Sequence, residues 1–139
     1  MGNINLGRVI LGGLVAGLVL NIGESVLNGM LLSAQMQSFM TQHRFAEPAN
    51  FIAIAVVMTF VLGIVIVLGY ACIRPRFGPG VKTAIIAAVF AWFGTYVYLG
   101  IIDGRLMSVP MNLILMKIGW GLVEYCLGAI AGAWLYKEA

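Results

Sequence analysis

Residues 51–73 read "FIAIAVVMTFVLGIVIVLGYACI", an apolar run in which no residue carries a charge. A helix needs about 20 such residues in succession to cross the hydrocarbon core of a bilayer. A strand of a membrane β-barrel would instead alternate apolar and polar residues over about ten positions, and this run does not alternate. The stretch therefore predicts a transmembrane helix.

Three more apolar stretches of similar length lie on either side of this run, at about 6–32, 81–102 and 111–136. We expect the first of them to continue as an amphipathic extension over about 33–40. The links between the four spans are short, and short links place neighbouring helices antiparallel. The sequence thus predicts an all-α fold, an integral membrane four-helix bundle of up-down topology, as one transmembrane domain over 1–139.

The composition supports a membrane environment. Of the 139 residues, 62% are hydrophobic and only 9% are charged, whereas soluble domains average about 25% charged residues. So few charges could not cover a water-facing surface, so we expect the lipid bilayer to be the main partner. The net charge of +3 would suggest nucleic acid for a soluble protein, but here the basic residues cluster at span ends, and we expect no nucleic-acid partner.

The basic residues also predict the orientation of the chain. Five of them fall on the side that holds both termini and two on the other side. The five are Arg8, Arg74, Arg76, Lys82 and Lys137, and the two are Arg44 and Arg105. Lys and Arg accumulate on the cytoplasmic side of membrane proteins, so both termini are predicted to be cytoplasmic. Tyrosines toward the span ends, Tyr96 among them, are typical of the membrane–water interface.

The first span carries polar residues where lipid would demand apolar ones. At about 100° per residue, Gly13, Gly17, Asn21, Glu24 and Asn28 fall within about 80° of one another on a helix. One narrow stripe therefore holds the small and polar side chains of this span.

The fourth span repeats the design. Lys117, Gly121, Glu124, Gly128 and Gly132 also share a stripe about 80° wide, and counted from the cytoplasmic ends the two stripes match in depth. Small residues let helix backbones approach closely, and polar side chains then bond across the contact. We predict that the first and fourth spans pack through these stripes.

Five polar side chains of the two stripes are expected to form one intramembrane network: Asn21, Glu24, Asn28, Lys117 and Glu124. A charge at the bilayer centre costs about 2.5–3.5 kcal/mol, and pairing Lys117 with Glu24 or Glu124 would remove much of that cost. Two carboxylates and one ammonium leave an excess negative charge, so we expect Glu124 to be protonated at neutral pH. Such a network either fixes helix register or serves as a proton or ion relay or a polar-headgroup site.

Two smaller patterns carry weaker hypotheses. Met36, Met40 and His43 fall on one helical face, and thioether and imidazole ligands suit Cu(I), although methionine also fills irregular packing. Apart from this alternative, no metal or cofactor is expected.

The turn "IRPRFGPGVKTA" at 73–84 concentrates positive charge. Arg74, Arg76 and Lys82 could bind anionic lipid headgroups, which basic juxtamembrane clusters attract. The alternative is a rigid turn whose charges only set topology.

The sequence offers no Ser/His/Asp, Cys/His or HExxH arrangement, so we expect no enzymatic activity. The leading hypothesis is a protein that acts through helix association, as a homo-oligomer or as an accessory subunit of a larger membrane complex. The second is a small transporter or proton-linked carrier that uses Glu24, Lys117 and Glu124. The third is Cu(I) handling on the periplasmic side.

The stretches "YACIRPRFGPGVKTAIIA" at 70–87 and "GLVLNIGE" at 17–24 resemble uncharacterised small bacterial membrane proteins with four predicted helices and an Arg-Pro-Arg-Phe-Gly turn. The resemblance covers nearly the whole chain. It implies the four-helix architecture and a bacterial inner (cytoplasmic) membrane location. It implies no activity and no functional residue.

Overall fold

The computed structural model describes residues 3–138, and within that range every regular element is helical. The helices are α1 (Leu6–Leu31), α2 (Ser33–Gln42), α3 (Phe51–Phe77), α4 (Val81–Leu106) and α5 (Met111–Leu135). All except α2 are long and apolar enough to cross a membrane. This confirms the all-α, multi-pass character predicted from the sequence.

Two of the long helices run past the predicted ends of their spans. The second span was expected to end at 73 and the third at 102, but α3 continues to Phe77 and α4 to Leu106. Apolar length reports the thickness of hydrocarbon that a helix crosses, whereas backbone hydrogen bonding continues beyond it. α3 then ends at Gly78, whose φ of 81° is a left-handed conformation that glycine adopts without strain.

α1 packs against both α3 and α5. On the α3 side, a Cβ atom on Gly13 would collide with the backbone of Ile64, and one on Gly17 would lie 2.8 Å from Cα of Phe60. On the α5 side, Gly12 lies against Gly132. Because glycines stand at each contact, the helix backbones approach closely.

This arrangement corrects the prediction that one stripe of α1 faces the fourth span. Gly13 and Gly17 face α3, and the face toward α5 begins at Gly12, about 100° away round the helix. On α5, Gly128 and Gly132 do contact α1, while Gly121 lies against the Tyr96 ring of α4. A helix with two neighbours needs two small-residue faces, and sequence spacing does not tell which neighbour each face meets.

The amphipathic extension is a separate helix. Leu32, with φ −111° and ψ 0°, interrupts the helical conformation between α1 and α2. Its buried side chain joins Leu27 and Leu113 in a small apolar cluster on which Met36 also packs. The larger core lies among α1, α3, α4 and α5.

Two stretches of the long helices have π-helical hydrogen bonding. They are the last five residues of α1, Leu27–Leu31, and the middle of α4, Phe93–Leu99. π-helical turns are rare and occur frequently at functional sites. The first begins three residues after Glu24 and the second contains Tyr96, so both border the same region of the protein.

Candidate intramembrane carboxylate site

Two glutamates from different helices meet at one tyrosine. Glu24 projects from α1, Glu124 from α5 and Tyr96 from the π-helical stretch of α4. The Tyr96 hydroxyl donates to Oε1 of Glu24 and lies 3.2 Å from Oε1 of Glu124. Glu124 is only 4% exposed. Three helices thus bring their polar groups to one point, where Glu124 is buried and Glu24 and Tyr96 are half-buried.

The remaining carboxylate oxygens also have hydrogen-bond donors. The Asn28 side-chain amide donates to Oε2 of Glu24 at 2.6 Å. The Trp120 indole N–H lies 3.0 Å from Oε2 of Glu124 and 3.1 Å from the backbone carbonyl of Gly23. Burying a carboxyl group is costly unless its oxygens are hydrogen-bonded, and these donors offset that cost.

The geometry of the site limits how its three groups can share hydrogens. A phenol hydroxyl carries one hydrogen, and an ionised carboxylate only accepts hydrogen bonds. Tyr96 can therefore donate to one carboxylate but not to both. For the second contact to be a hydrogen bond, that carboxyl group must carry a proton and donate it to the phenol oxygen. Glu24, Tyr96 and Glu124, named the carboxylate–tyrosine site below, can therefore form both hydrogen bonds at once only when they hold one added proton.

Two glycines make room for these side chains. A Cβ atom on Gly23 would lie 3.1 Å from Cβ and 3.2 Å from Cδ of Glu124. A Cβ atom on Gly121 would lie 2.7 Å from Cγ of Tyr96. Larger residues at either position would push the carboxyl group or the phenol ring away from the site.

The expected ion pair of Lys117 is not formed. Among residues 3–138, no carboxylate oxygen lies within 4.0 Å of its ammonium nitrogen, and the ion pair found there joins Arg74 and Glu138 at 2.9 Å. The glutamates instead take their hydrogen bonds from Tyr96, Asn28 and Trp120, of which only Asn28 belongs to the predicted network. Lys117 nevertheless lies near the site, because it lines the same pocket as Glu24.

That pocket has a volume of about 280 Å³. Its lining residues are Glu24, Thr95, Tyr96, Lys117 and Tyr125. The Thr95 hydroxyl lies 2.9 Å from the carbonyl of Ala91 and 3.0 Å from the Tyr125 hydroxyl, and the Tyr125 ring packs edge-on against Tyr96 at 5.3 Å between centroids. These contacts hold the Tyr96 ring in place beside the pocket.

Asn21 lies outside the predicted network. Its side-chain amide donates to the Gly17 carbonyl at 2.9 Å and to the Val56 carbonyl of α3 at 3.4 Å. Both acceptors are backbone carbonyls, and within residues 3–138 the Asn21 side chain makes no hydrogen bond to Glu24 or Glu124. Of the five predicted network residues, Glu24, Asn28 and Glu124 join the hydrogen-bonded group.

Sequence reasoning missed Tyr96, Trp120 and Tyr125. Tyr96 was interpreted as an interfacial aromatic because it lies in the second half of its span. Trp120 had a usable signal, since residues four apart lie on the same helix face and Trp120 precedes Glu124 by four.

The basic residues of the α3–α4 turn are not equivalent. The Arg74 guanidinium is paired with Glu138 and lies 5.5 Å from the centre of the Tyr136 ring. Arg76 and Lys82 are exposed. Of the three residues proposed to bind anionic lipid, Arg74 therefore contacts the end of the chain instead.

The Met/His group is partly engaged elsewhere. Met36 packs on the Leu27 cluster, and Nδ1 of His43 lies 2.9 Å from the Phe39 carbonyl oxygen. Met40 is half-buried. Within residues 3–138 no group of three or more His, Cys, Asp or Glu side chains could hold a metal ion.

Comparison of the chain with protein-family models, with curated proteins and with solved structures gave no match. The functional argument therefore rests on the carboxylate–tyrosine site and the pocket beside it.

Proposed function

We propose that this protein is a small proton-linked carrier of a bacterial inner membrane and that Glu24, Tyr96 and Glu124 bind the proton. The observation that carries the proposal is one phenol hydroxyl in contact with two carboxyl groups from different helices. Ionisable residues inside membranes mark proton and substrate pathways. No catalytic step is assigned to the protein.

Loss of the extra proton would change the packing of the helices. With both carboxylates ionised, two negative charges would face one hydroxyl in a region of low dielectric, and like charges at such a distance repel. The repulsion would act between α1 and α5, since they carry Glu24 and Glu124 respectively. The π-helical stretches beside the site offer a place where backbone hydrogen bonds can rearrange. Protonation is therefore coupled to a change in helix contacts.

The orientation that we propose has both termini in the cytoplasm and the helices in up-down order. The distribution of Lys and Arg supports it. The contacts support the order, because Gly12 of α1 meets Gly132 of α5 and Gly23 meets Glu124. Residue numbers rise along one helix as they fall along the other. The bacterial location rests on the resemblance of the α3–α4 turn.

Four helices rarely enclose a pathway by themselves, so we propose that the carrier works as a homo-oligomer or within a larger membrane complex. The glycines that suggested helix association do not supply that contact. Gly13, Gly17, Gly121, Gly128 and Gly132 are all occupied by contacts within the chain. Helix association alone is therefore less well supported than proton-linked transport.

Proton flux into proteoliposomes tests the proposal. A pH-sensitive dye inside the vesicles would follow acidification under an inward pH gradient, with and without a mixture of amino acids, sugars and organic acids outside. We expect wild-type vesicles to acidify faster than empty ones and Glu124→Gln to return to the rate of empty vesicles.

Glu47→Gln is the matched control, because Glu47 is an exposed glutamate outside the long helices. It should keep the wild-type rate. A wild-type rate equal to that of empty vesicles under every condition would show that the protein carries no proton.

A further inference from the structure

The pocket beside the carboxylate–tyrosine site has walls of opposite charge. Glu24 contributes a carboxyl group and Lys117 an ammonium group, and both line the same pocket of about 280 Å³. The hydroxyl-bearing residues Thr95, Tyr96 and Tyr125 complete the lining. The pocket therefore offers charged and hydrogen-bonding groups of both kinds inside a membrane protein.

In the part of the chain that the structure describes, no carboxylate oxygen lies within 4.0 Å of the Lys117 ammonium nitrogen. An ammonium group in an apolar region is costly unless it is paired. Because its side chain lines the pocket, an anionic group of a ligand can supply the missing partner.

The charges around the pocket favour a ligand that carries both a positive and a negative group over a simple anion. With one proton shared between Glu24 and Glu124, the pair carries one negative charge, and Lys117 carries one positive charge. The walls are then neutral overall but polarised. A ligand of complementary charge is also neutral overall, with a positive end for the glutamate side and a negative end for Lys117.

The volume of the pocket, which is open on one side, gives the size of the part of a ligand that fits inside it. At about 30 Å³ per water molecule in the liquid, 280 Å³ corresponds to about nine waters. This matches a molecule with few non-hydrogen atoms, below the range of about 300–1,000 Å³ that holds drug-sized ligands.

We propose that this pocket binds a small zwitterion, with its ammonium group toward Glu24 and its anionic group on Lys117. The inference rests on the proposed function, in which it names the class of transported substrate. The same chemistry occurs in free amino acids and in the ethanolamine phosphate headgroup of a lipid.

Equilibrium binding to protein in phosphatidylglycerol nanodiscs, which contain no zwitterionic lipid, tests the proposal. Isothermal titration would use alanine and glycerophosphoethanolamine as probes. N-acetylalanine, which lacks the ammonium group, and ethylamine, which lacks the anion, are the matched controls. We expect the two zwitterions to bind at least about tenfold more tightly than either control, because each control leaves one wall charge unpaired.

The source of the zwitterion is distinguished by a second set of nanodiscs that contain phosphatidylethanolamine. If the headgroup is the natural ligand, alanine binding falls in these discs and the lipid stays bound after delipidation. If a soluble zwitterion is the ligand, alanine binds equally in both kinds of disc.

Variants of Lys117 test whether alanine binds in this pocket. Lys117→Met should weaken alanine binding by about tenfold or more, as expected for truncating one partner of a buried charge pair. Lys117→Arg keeps the charge and should retain most of the affinity, which guards against a general loss of structure. Lys82→Met, at an exposed position, is the control and should bind like the wild type.

Binding of N-acetylalanine or ethylamine as tight as that of alanine would overturn the proposal, and so would binding of neither zwitterion in the phosphatidylglycerol discs. These titrations involve no pH gradient, so their outcome is independent of proton flux. A protein that moves protons but binds no zwitterion would refute this inference and leave the proposed function standing.

Discussion

Tyr96 decides what the two intramembrane glutamates can do, because its hydroxyl contacts both carboxyl groups. Without that hydroxyl, Glu24 and Glu124 would lose the group between them. Asn28 and Trp120 would still donate to the Oε2 atoms of Glu24 and Glu124. The two Oε1 atoms would lose the hydroxyl that both of them contact.

Tyr96→Phe is therefore expected to lower the free energy of unfolding by about 1–3 kcal/mol, the cost of leaving a buried polar group unsatisfied. Proton flux into proteoliposomes should slow as well. Thermal unfolding in detergent and the dye assay measure the two effects. Tyr98→Phe is the control, since Tyr98 lies two residues away and is 58% exposed. Wild-type flux in the Tyr96 variant would contradict a role for the hydroxyl in proton binding.

At this scale the sequence identifies charged residues better than their partners. Glu24 and Glu124 stand out because carboxyl groups are rare in apolar spans, and the structure does bring them together. The expected ion pair of Lys117 with a glutamate is not found within 4.0 Å in the described part of the chain, and the neutral donors Tyr96 and Trp120 contact the carboxylate oxygens instead. Neutral polar aromatics are ordinary in membrane spans, so their sequence positions alone carry little information.

At the scale of elements, α1 is held by two glycine-lined contacts on different faces. On the α3 side, a Cβ atom on Gly63 would collide with the carbonyl oxygen of Gly13 and the amide nitrogen of Gly17. The atoms on both sides of this contact belong to the backbone, so no flexible side chain can move aside to make room.

We expect Gly63→Ala to destabilise the protein by about 1–3 kcal/mol, which is typical of overpacking. Gly69→Ala in the same helix is the control, since a Cβ atom there would meet nothing within 4 Å, and its effect should stay within about 0.5 kcal/mol. Unfolding in detergent compares the two variants. Equal destabilisation by both would argue against a close contact between α1 and α3 at Gly63.

Apolar length alone is enough to find the four long helices, because crossing hydrocarbon requires a helix of a set length. The break at Leu32 and the π-helical stretches have no comparable signal. They depend on how Leu32 packs with Leu113 and how Tyr96 meets α1 and α5, which are contacts between segments distant in the chain.

At the scale of the whole molecule, the proposed orientation predicts which loops an external reagent reaches. In a background with Cys72→Ser and Cys126→Ser, a membrane-impermeant maleimide added to intact cells should label Met107→Cys. It should label Lys137→Cys only after the membrane is opened. Both positions are exposed, so accessibility within the fold does not separate them. Labelling of Lys137→Cys in intact cells would show that the orientation is opposite to the one proposed.

The overall architecture is thus the most predictable level, and the partner of each helix face the least. The composition indicates that lipid surrounds most of the chain, and the short links limit how the helices can be ordered. Neither tells whether a glycine such as Gly17 faces α3 or α5, because both neighbours present small residues to α1.

Trp120 gives the protein a built-in optical reporter. Its indole N–H points at the carboxyl group of Glu124, and indole fluorescence responds to the charge and proton-donating character of a group so close to the ring. With Trp92 and Trp134 replaced by phenylalanine, the emission of the remaining tryptophan would follow occupation of the site in real time, without an added dye.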